Sequence, residues 1–146
     1  MSKKIKYING IRFYRSIVVG INNLISRQDY LNQINVFPVP DGDTGTNMAF
    51  TVNEILEGTS GTVSSKIGEM SQEVADLALD GARGNSGAIL AQFFVGLSES
   101  LEGKDTMSVK DFANAFSKAS DNAWEALSNP QEGTILTIFK DLSKFL

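Results

Sequence analysis

Apolar positions recur every three or four residues along most of the chain, the spacing that lines one face of an α-helix. Ile11, Tyr14, Ile17, Val18, Ile21, Leu24 and Ile25 share such a face, predicting a first helix over residues 9–27. A second helix is expected after Thr46. The stretch Glu57-Gly58-Thr59-Ser60-Gly61-Thr62 reads as a turn, after which Ile67, Met70, Val74, Leu77 and Ala78 resume the helical spacing. The next helix is expected to begin after Asn85 and to carry Ile89, Leu90, Phe93, Phe94 and Leu97 as far as Leu101, with Gly103 ending the pattern. Ser108 and Asp111 have the spacing of a capping pair for a helix reaching about Leu127, and a last helix is predicted over residues 134–146. Val36, Phe37 and Val39 form too short and proline-broken a run for a strand. Phe93, Phe94, Phe112, Phe116 and Trp124 lie at helical spacings that suit a core more than a lipid-facing surface. The pattern predicts an all-α bundle without internal repeats.

Three glycine-bearing breaks interrupt it. In Pro38-Val39-Pro40-Asp41-Gly42-Asp43-Thr44-Gly45-Thr46-Asn47, two carboxylates stand two residues apart just before a helix. Mg²⁺ takes oxygen ligands, uses one or two protein carboxylates and fills its other positions with water and substrate phosphate, and Asp41 with Asp43 suits that economy. Thr44, Thr46 and Asn47 add neutral hydrogen-bonding groups where helix N–H groups lie open. The plainer reading is a Pro-Asp-Gly turn whose carboxylates cap a helix. An EF-hand is disfavoured, because Val52 stands where the loop needs its twelfth-position acid, and no Gly-Lys-Ser/Thr of a Walker loop occurs. The second break, Asp80-Gly81-Ala82-Arg83-Gly84-Asn85-Ser86-Gly87, suits a phosphate cradle at a helix start; alone it reads better as a tight interhelical turn with a solvated or carboxylate-paired Arg83. The third, Asn129-Pro130-Gln131-Glu132-Gly133-Thr134-Ile135-Leu136-Thr137, places Thr134 as a helix cap or as a further group lining the same site.

The first motif from Asn35 through Met48, the segment from Gly81 to Gly87, and Glu132-Gly133-Thr134-Ile135-Leu136 together resemble the amino-terminal kinase domain of bacterial fatty acid kinase. That domain belongs to the DhaL-like superfamily, named for the nucleotide-binding part of dihydroxyacetone kinase. The motifs stand in the family's order and spread over most of the chain. The resemblance implies an antiparallel helical barrel with ATP at one end. It implies Mg²⁺ on Asp41 and Asp43, with Asn35 standing where the dihydroxyacetone kinases use a third aspartate. It also implies phosphate contacts at Thr46, Asn47, Gly84, Asn85, Ser86, Gly87 and Thr134, and Arg83 stabilising charge during transfer. The implied reaction moves a phosphoryl group to a fatty acid carboxylate presented by a separate fatty-acid-binding carrier protein, giving an acyl phosphate. A nucleotide-binding module without transfer, and a dihydroxyacetone-type kinase component, are the alternatives. The family's domain continues past the Gly-Thr-Ile-Leu helix to further helices and additional domains. A fragment or a short form is therefore expected, one domain over residues 1–146 with the barrel incomplete at its C-terminal side. Self-association, as a homo-oligomer, or a partner would cover the open face.

Composition narrows the function classes. The chain has 146 residues, 42% hydrophobic and 21% charged, with net charge −4, which suits one folded domain and disfavours a nucleic-acid partner. Its basic cluster, Lys3, Lys4 and Lys6, reads as a solvated tail. No apolar run approaches the ~20 residues that span a bilayer, no signal peptide is evident, and a cytoplasmic location is expected. The absence of histidine and cysteine points to catalysis by metal and geometry, and excludes a covalent histidine-linked acceptor.

Overall fold

The computed structural model describes residues 5–37 and 39–146; Lys3, Lys4 and Pro38 lie outside the described residues. The chain folds as β1 (Tyr7–Asn9), α1 (Gly10–Ser26), α2 (Gln28–Gln33), α3 (Thr44–Gly58), α4 (Ile67–Asp80), α5 (Gly84–Leu101), β2 (Thr106–Ser108), α6 (Val109–Glu125) and α7 (Ile135–Phe145). The all-α expectation holds, with one small addition. β1 pairs antiparallel with β2, Ile8 opposite Met107, and this two-stranded sheet ties the start of α1 to the connection between α5 and α6.

With α1 and α2 running on as one arm, the helices alternate in direction, as their contacts show. Tyr14 of α1 meets Thr59 just beyond α3 (Oη to Oγ1, 3.3 Å), while Gln28 and Asn32 of α2 reach Thr46 at the start of α3. Leu77 of α4 lies against Gly58, and Glu54 of α3 lies against Gly81. The first N–H groups of α4, from Ile67 and Gly68, donate to the carbonyls of Asp105 and Lys104 beyond the end of α5 (3.1 and 2.9 Å), which explains why no side chain caps α4. Gly96 lets α6 approach α5 at Ala119, and Lys118 pairs with Glu99 across the same contact at 3.4 Å. The alternation has a direct consequence: the connections α2–α3, α4–α5 and α6–α7 all fall at one end of the bundle. Those are the three glycine-bearing breaks.

The core follows the apolar stripes. Ile55, Ile67, Met70, Val74 and Leu101 are fully buried at its centre. Phe93, Phe94 and Phe116 are buried, with Phe112 and Trp124 packed against them, as the aromatic spacing predicts. Phe93 stacks on Phe139 of α7 with centroids 4.3 Å apart, and Phe116 meets Phe93 edge-on at 5.2 Å. α7 is thus held by Phe139 and the buried Leu136, while Ile138, Leu142 and Phe145 face outward.

Local chemistry sets the ends. Asn9 caps α1 through Arg12 N–H (3.0 Å), Thr134 caps α7 through Leu136 N–H (3.3 Å), and the anticipated Ser108–Asp111 pair is a full capping box. Helix α6 ends near its predicted limit. Two starts differ from expectation: α3 begins at Thr44 rather than after Thr46, and α5 begins at Gly84 rather than after Asn85. Each helix therefore reaches into its glycine loop, and neither start carries a side-chain cap from its N-cap residue.

Asp111 gives a pH prediction. The Ser108 hydroxyl and backbone N–H, aided by Lys104, hold its carboxyl well below the usual carboxylate range. A depressed folded value means that the interaction stabilises the fold above the unfolded value near 3.8 and is lost as the pH falls below it. The urea midpoint of Asp111→Asn should lie below that of the native chain at pH 7, and the gap should narrow between pH 4 and pH 2.5. A gap independent of pH would refute the assignment.

Candidate active site

The first loop is shaped from within. Asn35 donates from Nδ2 to the Val39 carbonyl at 3.0 Å and accepts the Asp43 N–H at its Oδ1 at 3.3 Å, closing the loop across eight residues. Asp41 N–H donates to Val39 O at 2.9 Å, and Gly42 sits at φ 70°, a left-handed turn that spares a Cβ penalty between the two aspartates. Both carboxylates are exposed. Asp43 Oδ2 accepts from Asn47 Nδ2 at 2.8 Å, whereas the Asp41 carboxylate has no hydrogen-bond partner among the described residues.

The N-terminus of α3 is finished from α2. Asn32 Oδ1 accepts the Thr46 N–H at 3.0 Å, and the Thr46 hydroxyl oxygen accepts from Asn32 Nδ2 (3.0 Å) and Gln28 Nε2 (3.3 Å). The resemblance puts Thr46 at the phosphates; its placed partners are in α2. Asn47 is the connection to the second loop. Its amide lies against Gly84, where φ is 60° and a Cβ would come within 2.6 Å of Nδ2. Ser86 Oγ donates to the Thr44 carbonyl at 3.3 Å, and Arg83 N–H donates to Thr51 Oγ1 at 3.4 Å. The first and second loops are therefore in direct contact, and the Arg83 guanidinium stacks over Phe50 rather than pairing with a carboxylate.

No side chain caps α5, so the N–H groups of its first turn, at Gly84, Asn85 and Ser86, remain open to an anion, with the helix dipole adding to the attraction. Gly87 N–H is used within the helix, donating to Arg83 O at 3.0 Å. Asn85 is exposed.

The third loop shares this end of the bundle, but its bonds are local. Thr134 Oγ1 donates to Gln131 O at 2.9 Å, and Thr137 Oγ1 donates to Glu132 at 2.7 Å while accepting the Gly133 N–H at 2.8 Å. The Thr137 hydroxyl, with Lys140 behind it, holds the Glu132 carboxyl below its ordinary value. Thr134 acts as the cap that the simpler sequence reading anticipated.

The donor set suits a hard cation. Asp41 and Asp43 stand two residues apart and exposed, the Asp41 carboxylate without a hydrogen-bond partner among the described residues, and the Asn35 amide oxygen lies at the Asp43 N–H. Among the described residues no group of three or more histidine, cysteine, aspartate or glutamate side chains gathers to hold a metal. A cation here would draw on two carboxylates and leave most positions to water and phosphate, as Mg²⁺ does. Thr51 and Phe50, which position the second loop, carry no signal in the sequence beyond their place in an apolar helix.

The chain is 44% identical over 140 residues to an uncharacterized protein of Staphylococcus epidermidis strain RP62A, covering 96% of this chain and 25% of that protein. It is 45% identical over 134 residues to an uncharacterized protein of Staphylococcus saprophyticus, covering 92% and 24%, and 41% identical over 140 residues to one from Staphylococcus aureus strain USA300, covering 96% and 26%. The chain spans about a quarter of the length of these curated relatives. Residues 38–146 match the DAK2 domain, a span that holds all three loops from Val39 onward. The chain belongs to the DAK2 domain family, the DhaL-like family of the dihydroxyacetone kinases.

Proposed function

We propose that the chain binds ATP where the three loops gather and serves an enzyme that transfers the γ-phosphoryl group to a fatty acid carboxylate presented by a separate fatty-acid-binding protein. One observation carries this reading: Asn47 joins Asp43 of the first loop to Gly84 of the second, setting two carboxylates beside an uncapped helix N-terminus. Carboxylates on one side and open N–H donors on the other suit a metal-bound polyphosphate.

Asp41 and Asp43, with the Asn35 amide oxygen, would hold Mg²⁺, which when bound neutralises charge on the β- and γ-phosphates. The first-turn N–H groups of α5 receive phosphate oxygens and fix the polyphosphate in place, with Ser86 at their edge. Arg83 offers its guanidinium to charge developing on the transferring group. Thr134 orders the start of α7 at the rim. The resemblance to fatty acid kinase supplies the acceptor. A carboxylate oxygen forms a bond to the γ-phosphorus as the bond to the bridging oxygen breaks, giving an acyl phosphate and ADP. A carboxylate is ionised at neutral pH, so no general base is required, in keeping with a site without histidine.

The quarter-length match to the relatives favours one further reading, in which this part binds nucleotide and other parts of a longer chain complete transfer. Among the described residues no helix is long and apolar enough to cross a membrane. A cytoplasmic site of action is part of the proposal.

Calorimetric titration with ATP, in Mg²⁺ and in EDTA, tests the reading. Saturable binding in Mg²⁺ alone is expected. Folded protein that takes up no ATP in Mg²⁺ would overturn it. With binding in hand, offering a carrier-bound fatty acid or dihydroxyacetone as acceptor separates the transfer reactions from each other and from binding alone.

A further inference from the structure

Arg83 is gripped at both ends by two consecutive residues of α3. Its guanidinium carbon lies 4.3 Å from the centroid of the Phe50 ring, and its backbone N–H donates to Thr51 Oγ1 at 3.4 Å. Thr51 is fully buried. Its hydroxyl donates to the Asn47 carbonyl at 2.9 Å, and a Cβ on Gly87 would strike the same oxygen. One buried hydroxyl thus sits between the helix carrying Asn47 and the first turn of α5.

The spacing explains the arrangement. Asp43, Asn47, Phe50 and Glu54 fall at i, i+4, i+7 and i+11, a single face of α3. The second loop runs along that face in reverse order, with Gly84 at Asn47, Arg83 at Phe50 and Thr51, and Gly81 at Glu54. Arg83 therefore stands one helical turn from the residue that binds Asp43. None of the ion pairs among the described residues includes Arg83, and an aromatic face leaves the guanidinium's donors free while it restrains the plane.

We propose that Phe50 and Thr51 form a two-point clamp that orients Arg83 toward the phosphates of the bound nucleotide. The proposal rests on the ATP reading above and makes both residues positioning residues. An exposed arginine loses much rotamer freedom when it binds a phosphate; one already stacked and tethered loses less.

A double-mutant cycle tests it, with Mg-ATP affinity measured on the native chain, Phe50→Leu, Arg83→Ala and the pair. Phe50→Leu should weaken ATP by about two- to fivefold, the scale of an exposed cation–π contact. It should have no further effect once Arg83 is alanine, and Phe50→Trp should restore the affinity. In the nucleotide-free protein, the Arg83 Nε–H resonance should show a ring-current displacement that Phe50→Leu abolishes. Thr51→Val should speed exchange of the Arg83 amide, with Thr51→Ser close to native. An undiminished Phe50 effect in the Arg83→Ala background, or no ring-current displacement, overturns the clamp alone. Absence of ATP binding by the native chain overturns the ATP site first and the clamp with it.

Discussion

Replacing Asp41 and Asp43 together with asparagine is expected to weaken Mg²⁺-dependent ATP binding by about a hundredfold or more while leaving the chain folded. Asparagine keeps the shape of each side chain and removes two formal charges from the cation's surroundings. The structural cost is small because both carboxylates are exposed. The single side-chain bond made by Asp43, from Asn47 Nδ2 at 2.8 Å, can be remade by an amide oxygen. Two negative charges beside the N-terminus of α3 are lost, each contributing roughly 0.3–1 kcal/mol through the helix dipole, so a modest fall in melting temperature should accompany the change. Calorimetry in Mg²⁺ and EDTA, beside far-ultraviolet circular dichroism, reads both effects. Native-like ATP affinity in the folded double variant would remove the aspartates from the site.

Phe93→Ala should produce the largest loss of stability, about 3–5 kcal/mol, a considerable share of the ~5–15 kcal/mol that holds a typical domain together. Phe93 is the hub of the aromatic cluster. It stacks on Phe139 at 4.3 Å and meets Phe94 and Phe116 edge-on at 5.9 and 5.2 Å. The ring also anchors α7 through the half-buried Phe139, beside the buried Leu136. Urea unfolding should show a much lower midpoint, and hydrogen exchange should accelerate in α7 before α3 and α5. A loss below about 1 kcal/mol would mean that the cluster refills the space.

The helices were legible because their burial is one-sided. Ile67, Met70, Val74 and Ala78 are all buried in α4, where the apolar spacing put them, and Ser108 with Asp111 announced the capping box three residues apart. α2 is different: none of its residues is buried, so it has no apolar stripe to read. The strands are three residues each, too short to reveal an alternating pattern. At the site, the two glycine loops could be recognised by composition, but their joining could not. Asn47 reaches Gly84 only because α3 and α5 are packed together, and Thr51 looks in sequence like any small residue in a helix. Asn35 stands out in sequence by its place in a family pattern; its bonds to Val39 and Asp43 depend on how the loop folds back.

The pairing of Tyr7 with Ser108 joins positions about a hundred residues apart, whereas the bonds that join the first two loops, Ser86 to Thr44 and Arg83 to Thr51, span 42 and 32 residues. Closing so long a loop is entropically slow compared with docking neighbouring helices. During synthesis, α2 through α5 can assemble the carboxylate loop against the glycine loop before β2 has emerged, while the first strand waits for its partner. The junction of the first two glycine loops is then expected to form early, and the small sheet to be the late fastening that secures the start of the chain to helices already in place.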